Sequence, residues 1–445
     1  MNRIGVRAED KNRWERRTPL TPDHVRELIA AKGLEVVVQS SPLRAFADQE
    51  YVDAGATIDA ELAGCRVVLG VKEIPPEKIE PGRVYGIFPH VLKGQAATLP
   101  MLARMIELGC TLIDYEQIVD RRGRRLIFFG RHAGYAGMLD SLWALGQRLA
   151  SEGFVTPLEQ LRPAHRYADL EDALHHVAQV GVQIRHAGLP VGLRPIVVAF
   201  TGSGNVSRGA QEVYDRLAVL EIEPRELHGL AENRDEPRNV VFRTVLGRAD
   251  RYRRRVGGGF DDGEFLAHPE AYESALDDLL RHITVLVHGA YWEPGQPELL
   301  SRVQLAHLLD SDPQPKLRVI GDITCDIGGA IAATVRATDP GDPVYLYDPR
   351  NPHAETPSGV AGSGFVVMAV DNLPCELPLD ASRHFGDSLS RFVGPLARCD
   401  WDAPWESLDL PPELRGAVLV HRGLPTPPYV VLHQHLPAIA AERQP

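Results

Sequence analysis

The sequence predicts an α/β protein of two doubly wound domains with a cleft between them. Three observations carry that expectation. The chain has 445 residues, too many for one ordinary core. Residues 1 to about 140 alternate short apolar runs with helix-compatible segments, the pattern of a parallel sheet with crossover helices. The stretch Pro195 to Ala210, PIVVAFTGSGNVSRGA, joins a strand-like run to a glycine turn and then to a helix-compatible run. Both domains are expected to be Rossmann-like. The first takes residues 1–140 plus about 365–445, and the second, for a dinucleotide, about 141–364.

In chain order, Arg3 to Arg7 reads as a strand and Asp23 to Ala31 as a helix, with Thr21 as cap and Pro22 in its first turn. Strands follow at Glu35–Gln39, Arg66–Lys72 and Val84–Phe88. Residues Gly137 to Ser151 carry Met138, Leu142, Leu145 and Leu149 at helical spacing, which predicts a helix leading from one domain to the other. A further helix is predicted over Asp169–Val180, and strands at Val285–His288 and Leu317–Gly321 extend the second sheet. A helix is expected over Ala330–Arg336, a Pro/Gly/Asp-rich loop over Gly341–Gly364, a helix over Ala381–Val393, and then a Pro-rich tail.

The glycine turn has a chemical reason. Ile196 to Phe200 is apolar throughout, as in a strand buried on both faces. Gly202, Ser203, Gly204, Asn205 and Val206 then form a turn and a helix start, where backbone approaches a pyrophosphate and free N–H groups face it. The third glycine of G-x-G-x-x-G is replaced by Ser207, with Gly209 two residues on. A plain turn between strand and helix has the same composition, so context decides. Glu223 ends the next predicted strand 21 residues after Gly202, where an acid holds a ribose hydroxyl.

Composition excludes several classes. The formal net charge is −12, which repels nucleic acid and anionic membrane over most of the surface. The five cysteines are scattered without a C-x-x-C pair, which suits reduced thiols better than a disulfide framework or a zinc site. No metal-ligand or serine-nucleophile motif is present, so no metal is expected. The charged N-terminus predicts no signal peptide, and the apolar runs are shorter than a membrane span. The expectation is a cytoplasmic protein.

Polar groups at predicted strand ends are candidate chemistry, because ligands bind at the carboxyl ends of open α/β sheets. They are Lys72 and Glu73 after VVLGV, His90 and Lys93 after VYGIF, Glu116 after TLIDY, and Arg17 before the first helix. Each also has an ordinary reading as a solvated strand end, a surface ion pair or a satisfied hydrogen-bonder. Asp326, after the strand ending at Gly321, suits either a nicotinamide neighbour or a cap of the following helix. The cluster Arg248–Arg255 reads either as a solvated insertion or as a contact for a cofactor phosphate or a second subunit.

The segments VRAEDKNRWERRTPLTPDHV, LGVKEIPPEKI, GIFPHVLKGQ, LIDYEQIVDRRGRR, FFGRHAGYAGM, FTGSGNVSRGAQ, FDDGEFLAHPEAYES, GAYWEPGQPELL and GDITCDIGGAI follow one another as in a known family. The chain resembles the lysine-ketoglutarate reductase module, the N-terminal half of α-aminoadipic semialdehyde synthase. More distantly it resembles lysine-forming saccharopine dehydrogenases and alanine dehydrogenase/transhydrogenase proteins. The resemblance implies a free-standing reductase that condenses L-lysine with 2-oxoglutarate to saccharopine, using NADPH or NADH. By the same resemblance Lys72 and His90 are the acid–base pair and Arg17 binds a substrate carboxylate. Glu15, Glu73, Lys93 and Glu116 surround them, Arg131 is a further substrate ligand, and Asp326 lies near the nicotinamide. NADPH is favoured by resemblance, whereas Glu223 disfavours a 2′-phosphate unless Arg225 receives it. A homo-oligomer is an open expectation. The alternatives are another amino-acid dehydrogenase of the alanine dehydrogenase type, or a non-catalytic NAD(P)-binding protein.

Overall fold

The computed structural model describes residues 2–92, 94–193, 195–232 and 237–434. It divides into two units, Met1–Phe129 with Pro378–Pro445, and Gly130–Leu377.

In the first unit the strands lie in the order Leu424–Pro425, Val418–His421, Thr111–Asp114, Val84–Ile87, Val67–Leu69, Arg3–Val6, Glu35–Val38 and Thr57–Ile58. The last six run parallel. Their order reverses between Arg3–Val6 and Val67–Leu69, the switch point where an open α/β sheet leaves a crevice at its carboxyl edge. The strands are buried on both faces, which is why they read as unbroken apolar runs. Val67 packs on one face with Phe385 and Leu389, while Val68 packs on the other with Leu102 and Met105.

Helix Pro22–Lys32 starts where Thr21 and Pro22 predict and stops at Gly33, whose φ of +61° favours glycine. It packs on helix Pro378–Arg398, where His24 Nε2 lies 3.0 Å from an Asp387 oxygen. The tail holds a strand that the sequence reading lacks. Val418–His421 pairs antiparallel with Thr111–Asp114, covering an edge that would otherwise be open.

The second sheet runs Val344–Tyr347, Phe365–Met368, Val319–Asp322, Val285–His288, Val197–Thr201, Val241–Leu246 and Val219–Glu221. All neighbours are parallel except the first pair. The order reverses between Val197–Thr201 and Val285–His288. Val198 and Phe200 pack on one face with Leu142 and Leu145, and Ala199 packs on the other with Phe265 and Leu305. Helix Gly130–Ser151 lies wholly in this unit and packs tightly on helix Asn205–Tyr214. A Cβ on Gly134 would strike the Val206 carbonyl, and one on Gly209 the Arg131 carbonyl. Gly209 therefore supplies the close packing that the third glycine of the motif provides elsewhere.

Three expectations are corrected here. Residues 330–336 form no helix, and Ile331 instead bridges to Leu300. The loop of 341–364 contains the buried strand Val344–Tyr347, whose alternation of aromatic and aliphatic residues outweighs the surrounding Pro and Gly. Phe365–Met368 pairs with Val319–Asp322 in the second sheet, so it does not open the return to the first domain near residue 365.

Candidate active site

The switch point of the first unit gathers charge. Arg3–Val6 runs into Arg7 and Glu9, and Val67–Leu69 runs into Lys72 and Glu73. Glu9 is buried and accepts from the backbone N–H groups of Val71 (2.8 Å) and Lys72 (2.9 Å), which pins the start of the second loop to the first. Burial raises the Glu9 pKa, with Arg7 opposing and Glu15 adding to the rise.

Lys72 is half-buried. Burial lowers its pKa, and the charges of Arg17 and Lys11 lower it further against Glu73 and Glu15. His90 Nδ1 lies 2.7 Å from Glu73 Oε1. Burial opposes the Glu73 charge, yet the His90 hydrogen bond and the Lys72 and Lys11 cations prevail and hold its pKa at about 2. Lys11 Nζ stands 3.4 Å from the other Glu73 oxygen. The His90 backbone has φ of +50°, an uncommon conformation outside glycine that aims the ring from the turn after Val84–Ile87.

Arg17 and Glu15 form a buried two-point ion pair, Nε to Oε1 at 2.7 Å and Nη2 to Oε2 at 2.5 Å. The guanidinium lies 4.4 Å from the centre of the Phe129 ring. Glu116 is half-buried and meets Arg125 at 3.0 Å. Asp114, at the end of Thr111–Asp114, has its pKa pushed to about 7 by burial, the Glu116 N–H bond opposing and the Glu116 charge assisting. Lys93 lies outside the described residues.

The first unit thus brings together Lys72, Glu73 and His90, with Glu9 and Lys11 added. Sequence reasoning passed over Glu9 and Lys11, although the strand end before them marked the place. Arg131 belongs to the second unit, on the first turn of Gly130–Ser151, with its Nε donating to Glu212 at 3.1 Å. Tyr135 donates to the same carboxylate at 2.6 Å.

In the second unit the glycine turn opens on a cavity of about 730 Å³ at that sheet's switch point. Gly202, Ser203, Gly204, Asn205 and Val206 line it from one strand end, and Gly289, Ala290 and Tyr291 from the other. Gly202 has φ of +78°, and a Cβ there would lie 3.1 Å from that of Ala290. A Cβ on Gly204 would meet nothing within 4 Å, so backbone stays open to a ligand above the start of helix Asn205–Tyr214. The residues fit a dinucleotide pyrophosphate.

Two cofactor assignments need revision. The strand beside the glycine-turn strand is Val241–Leu246, not Val219–Glu221, which pairs only on the far side of it. Glu223 and Arg225 follow the outer strand and do not line the cavity, whereas Gly247, Arg248 and Arg251 do. Spacing along the chain did not reveal that the third of these strands in chain order lies between the other two. Asp326 is exposed on the loop after Val319–Asp322, and from that loop it is Thr324 that lines the cavity.

Comparison with known proteins agrees with this architecture. Residues 5–136 match the alanine dehydrogenase/PNT N-terminal domain. The chain is 36% identical over 439 residues to mouse "Alpha-aminoadipic semialdehyde synthase, mitochondrial", covering 96% of this chain and 47% of that protein, so it spans about half of that relative's length. It is 26% identical over 413 residues to the Yarrowia lipolytica "Saccharopine dehydrogenase [NAD(+), L-lysine-forming]", covering 91% of this chain and 94% of that one. The solved structure of an L-alanine dehydrogenase superposes with a TM-score of 0.61 at 20% identity, over 98% of this chain and 99% of that one. Its likeness supports the doubly wound fold of both units. No helix among the described residues is long and apolar enough to cross a membrane.

Proposed function

We propose that this chain, whose residues 5–136 match the alanine dehydrogenase/PNT N-terminal domain and which is similar along its length to half of the α-aminoadipic semialdehyde synthases, makes saccharopine from L-lysine and 2-oxoglutarate. The unit Met1–Phe129 with Pro378–Pro445 takes the substrates, and the unit Gly130–Leu377 takes NADPH or NADH through Gly202 to Val206. The observation that carries the reading is the Lys72, Glu73 and His90 cluster at a strand switch point.

The lysine ε-amine adds, unprotonated, to the keto carbon of 2-oxoglutarate, and one water leaves to give an imine. Reduced nicotinamide supplies hydride to the imine carbon when bound. Addition moves a proton from nitrogen to oxygen, and loss of water needs a proton delivered to the leaving hydroxyl. An imidazole serves both transfers near neutral pH, and Glu73, ionised throughout that range, orients the His90 ring. Lys72, with its pKa lowered by burial and neighbouring cations, is suited to share the proton. Its ammonium, with Lys11, places positive charge beside the substrate carboxylates. Arg17 is the proposed carboxylate ligand, and Glu15 holds its fork in one orientation.

Asp326 is kept as a proposed neighbour of the nicotinamide, and Glu116 and Lys93 as outer groups of the substrate site. The partners proposed are these small molecules, and the compartment proposed is the cytoplasm, supported by five cysteines that are all free. Cofactor oxidation with lysine and 2-oxoglutarate together, absent with either alone, tests the reading. Turnover with ammonia in place of lysine would favour the alanine dehydrogenase type of reaction instead.

A further inference from the structure

We infer that Arg248, with Asp262 as its competing counter-ion, is the element of this chain that discriminates NADPH from NADH. The inference rests on the dinucleotide reading of the glycine turn and goes beyond it to a residue pair. The strand Val241–Leu246 lies directly beside Val197–Thr201 with five residues in register. The Gly202 N–H donates to the Leu246 carbonyl at 3.2 Å, so the end of that strand is tied to the phosphate-binding turn.

In a doubly wound nucleotide fold the group at the end of this neighbouring strand meets the adenosine ribose. An acid there binds the 2′-hydroxyl, and an arginine accommodates a 2′-phosphate. Here the chain continues as Gly247, Arg248, Ala249 and Asp250. Asp250 is the acid nearest that strand end, and one of its oxygens already accepts from the Gly247 N–H at 2.8 Å, closing its own turn. Arg248 lines the cavity with its side chain half-exposed. Arg251 lines it too, buried, with Nε donating to the Gly247 carbonyl at 3.2 Å. Two cations thus stand at the place a 2′-phosphate would reach.

Arg248 is already engaged. Its Nη1 lies 2.5 Å from Asp262 Oδ1, on the segment that closes the same cavity. Glu293 is a further carboxylate on the lining. A guanidinium fork suits a phosphate dianion better than a single carboxylate oxygen, so a 2′-phosphate displaces Asp262 while a 2′-hydroxyl does not. Asp262 then costs NADPH part of its attraction, and the net discrimination is set by the pair.

The test is binding of NADPH and NADH to the full-length protein by fluorescence titration, with 2′,5′-ADP and 5′-AMP as competitors. The wild type is expected to bind NADPH at least about tenfold more tightly than NADH. Arg248→Ala should lower the ratio Kd(NADH)/Kd(NADPH) about tenfold and weaken 2′,5′-ADP but not 5′-AMP. Asp262→Asn should raise that ratio about threefold or more, which keeps the inference open to refutation if the arginine variant does not fold. A wild type that prefers NADH, or ratios within twofold of wild type in both variants, would overturn the inference while leaving the dinucleotide site standing. Loss of discrimination in Glu223→Ala or Arg225→Ala instead would also overturn it. A wild type that binds neither nucleotide would overturn the dinucleotide reading itself, and this inference with it.

Discussion

The Nδ1 atom of His90 lies 2.7 Å from Oε1 of Glu73, across the ends of two neighbouring parallel strands. The carboxylate is held at about 2, so it is charged over the whole working range and its hydrogen bond to the ring persists there. A neutral amide in its place keeps the shape and removes the charge. Glu73→Gln should lower kcat about tenfold or more, with little change in cofactor Kd, as measured by steady-state rates and fluorescence titration.

Glu73 also ties stability to acid. Its folded pKa is depressed below the ordinary 4.5, so its contribution is complete above about 4.5 and is lost as pH falls towards 2. Thermal unfolding of the wild type should therefore lose Tm between those values more steeply than that of Glu73→Gln.

A second pair gives the opposite slope. Asp140 and Glu376 are both buried in the second unit, where the Ala164 N–H donates to Asp140 at 2.8 Å and the His165 N–H to Glu376 at 3.1 Å. Burial raises both, Glu376 to about 7 with Asp140 opposing the rise, and Asp140 well above its ordinary value with Glu376 adding to it. Raised folded pKa values mean stability that is complete below about 4.5 and declines as pH rises through 7. Glu376→Gln should leave Tm near wild type at pH 5 and raise it by several degrees at pH 8. A parallel shift at both pH values would contradict the assignment of this slope to Glu376.

Gly134 and Gly209 set how closely two helices pack. Gly134→Ala and Gly209→Ala should each cost about 1–3 kcal/mol, read as a lower midpoint in urea, because each methyl meets a backbone carbonyl that cannot turn aside. Gly229→Ala is the control, since a Cβ there meets nothing within 4 Å.

Much of this was readable from residue order alone. Strands such as VYGI and VVAFT declare themselves because burial on both faces leaves them almost wholly apolar. Lys72, Glu73 and His90 were legible because charge interrupts apolar runs where sheets leave their crevices. What stayed hidden depends on distant partners. The strand Val418–His421 gains its meaning only from Thr111–Asp114, some 300 residues earlier. Arg248 lines the cavity and Glu223 does not, because sheet order, not spacing, decides which strand end borders the glycine turn. Glu9 was passed over because its role is to hold two backbone N–H groups, a task that leaves no trace in periodicity.

The claim on which the rest depends is that a lysine and a histidine of the first unit move protons for imine formation. The most direct measurement is the rate of saccharopine formation from lysine and 2-oxoglutarate by Lys72→Met and His90→Gln, with cofactor Kd measured in parallel. The account predicts kcat lowered about a hundredfold or more in each, with cofactor affinity kept. Wild-type rates in both variants would contradict it.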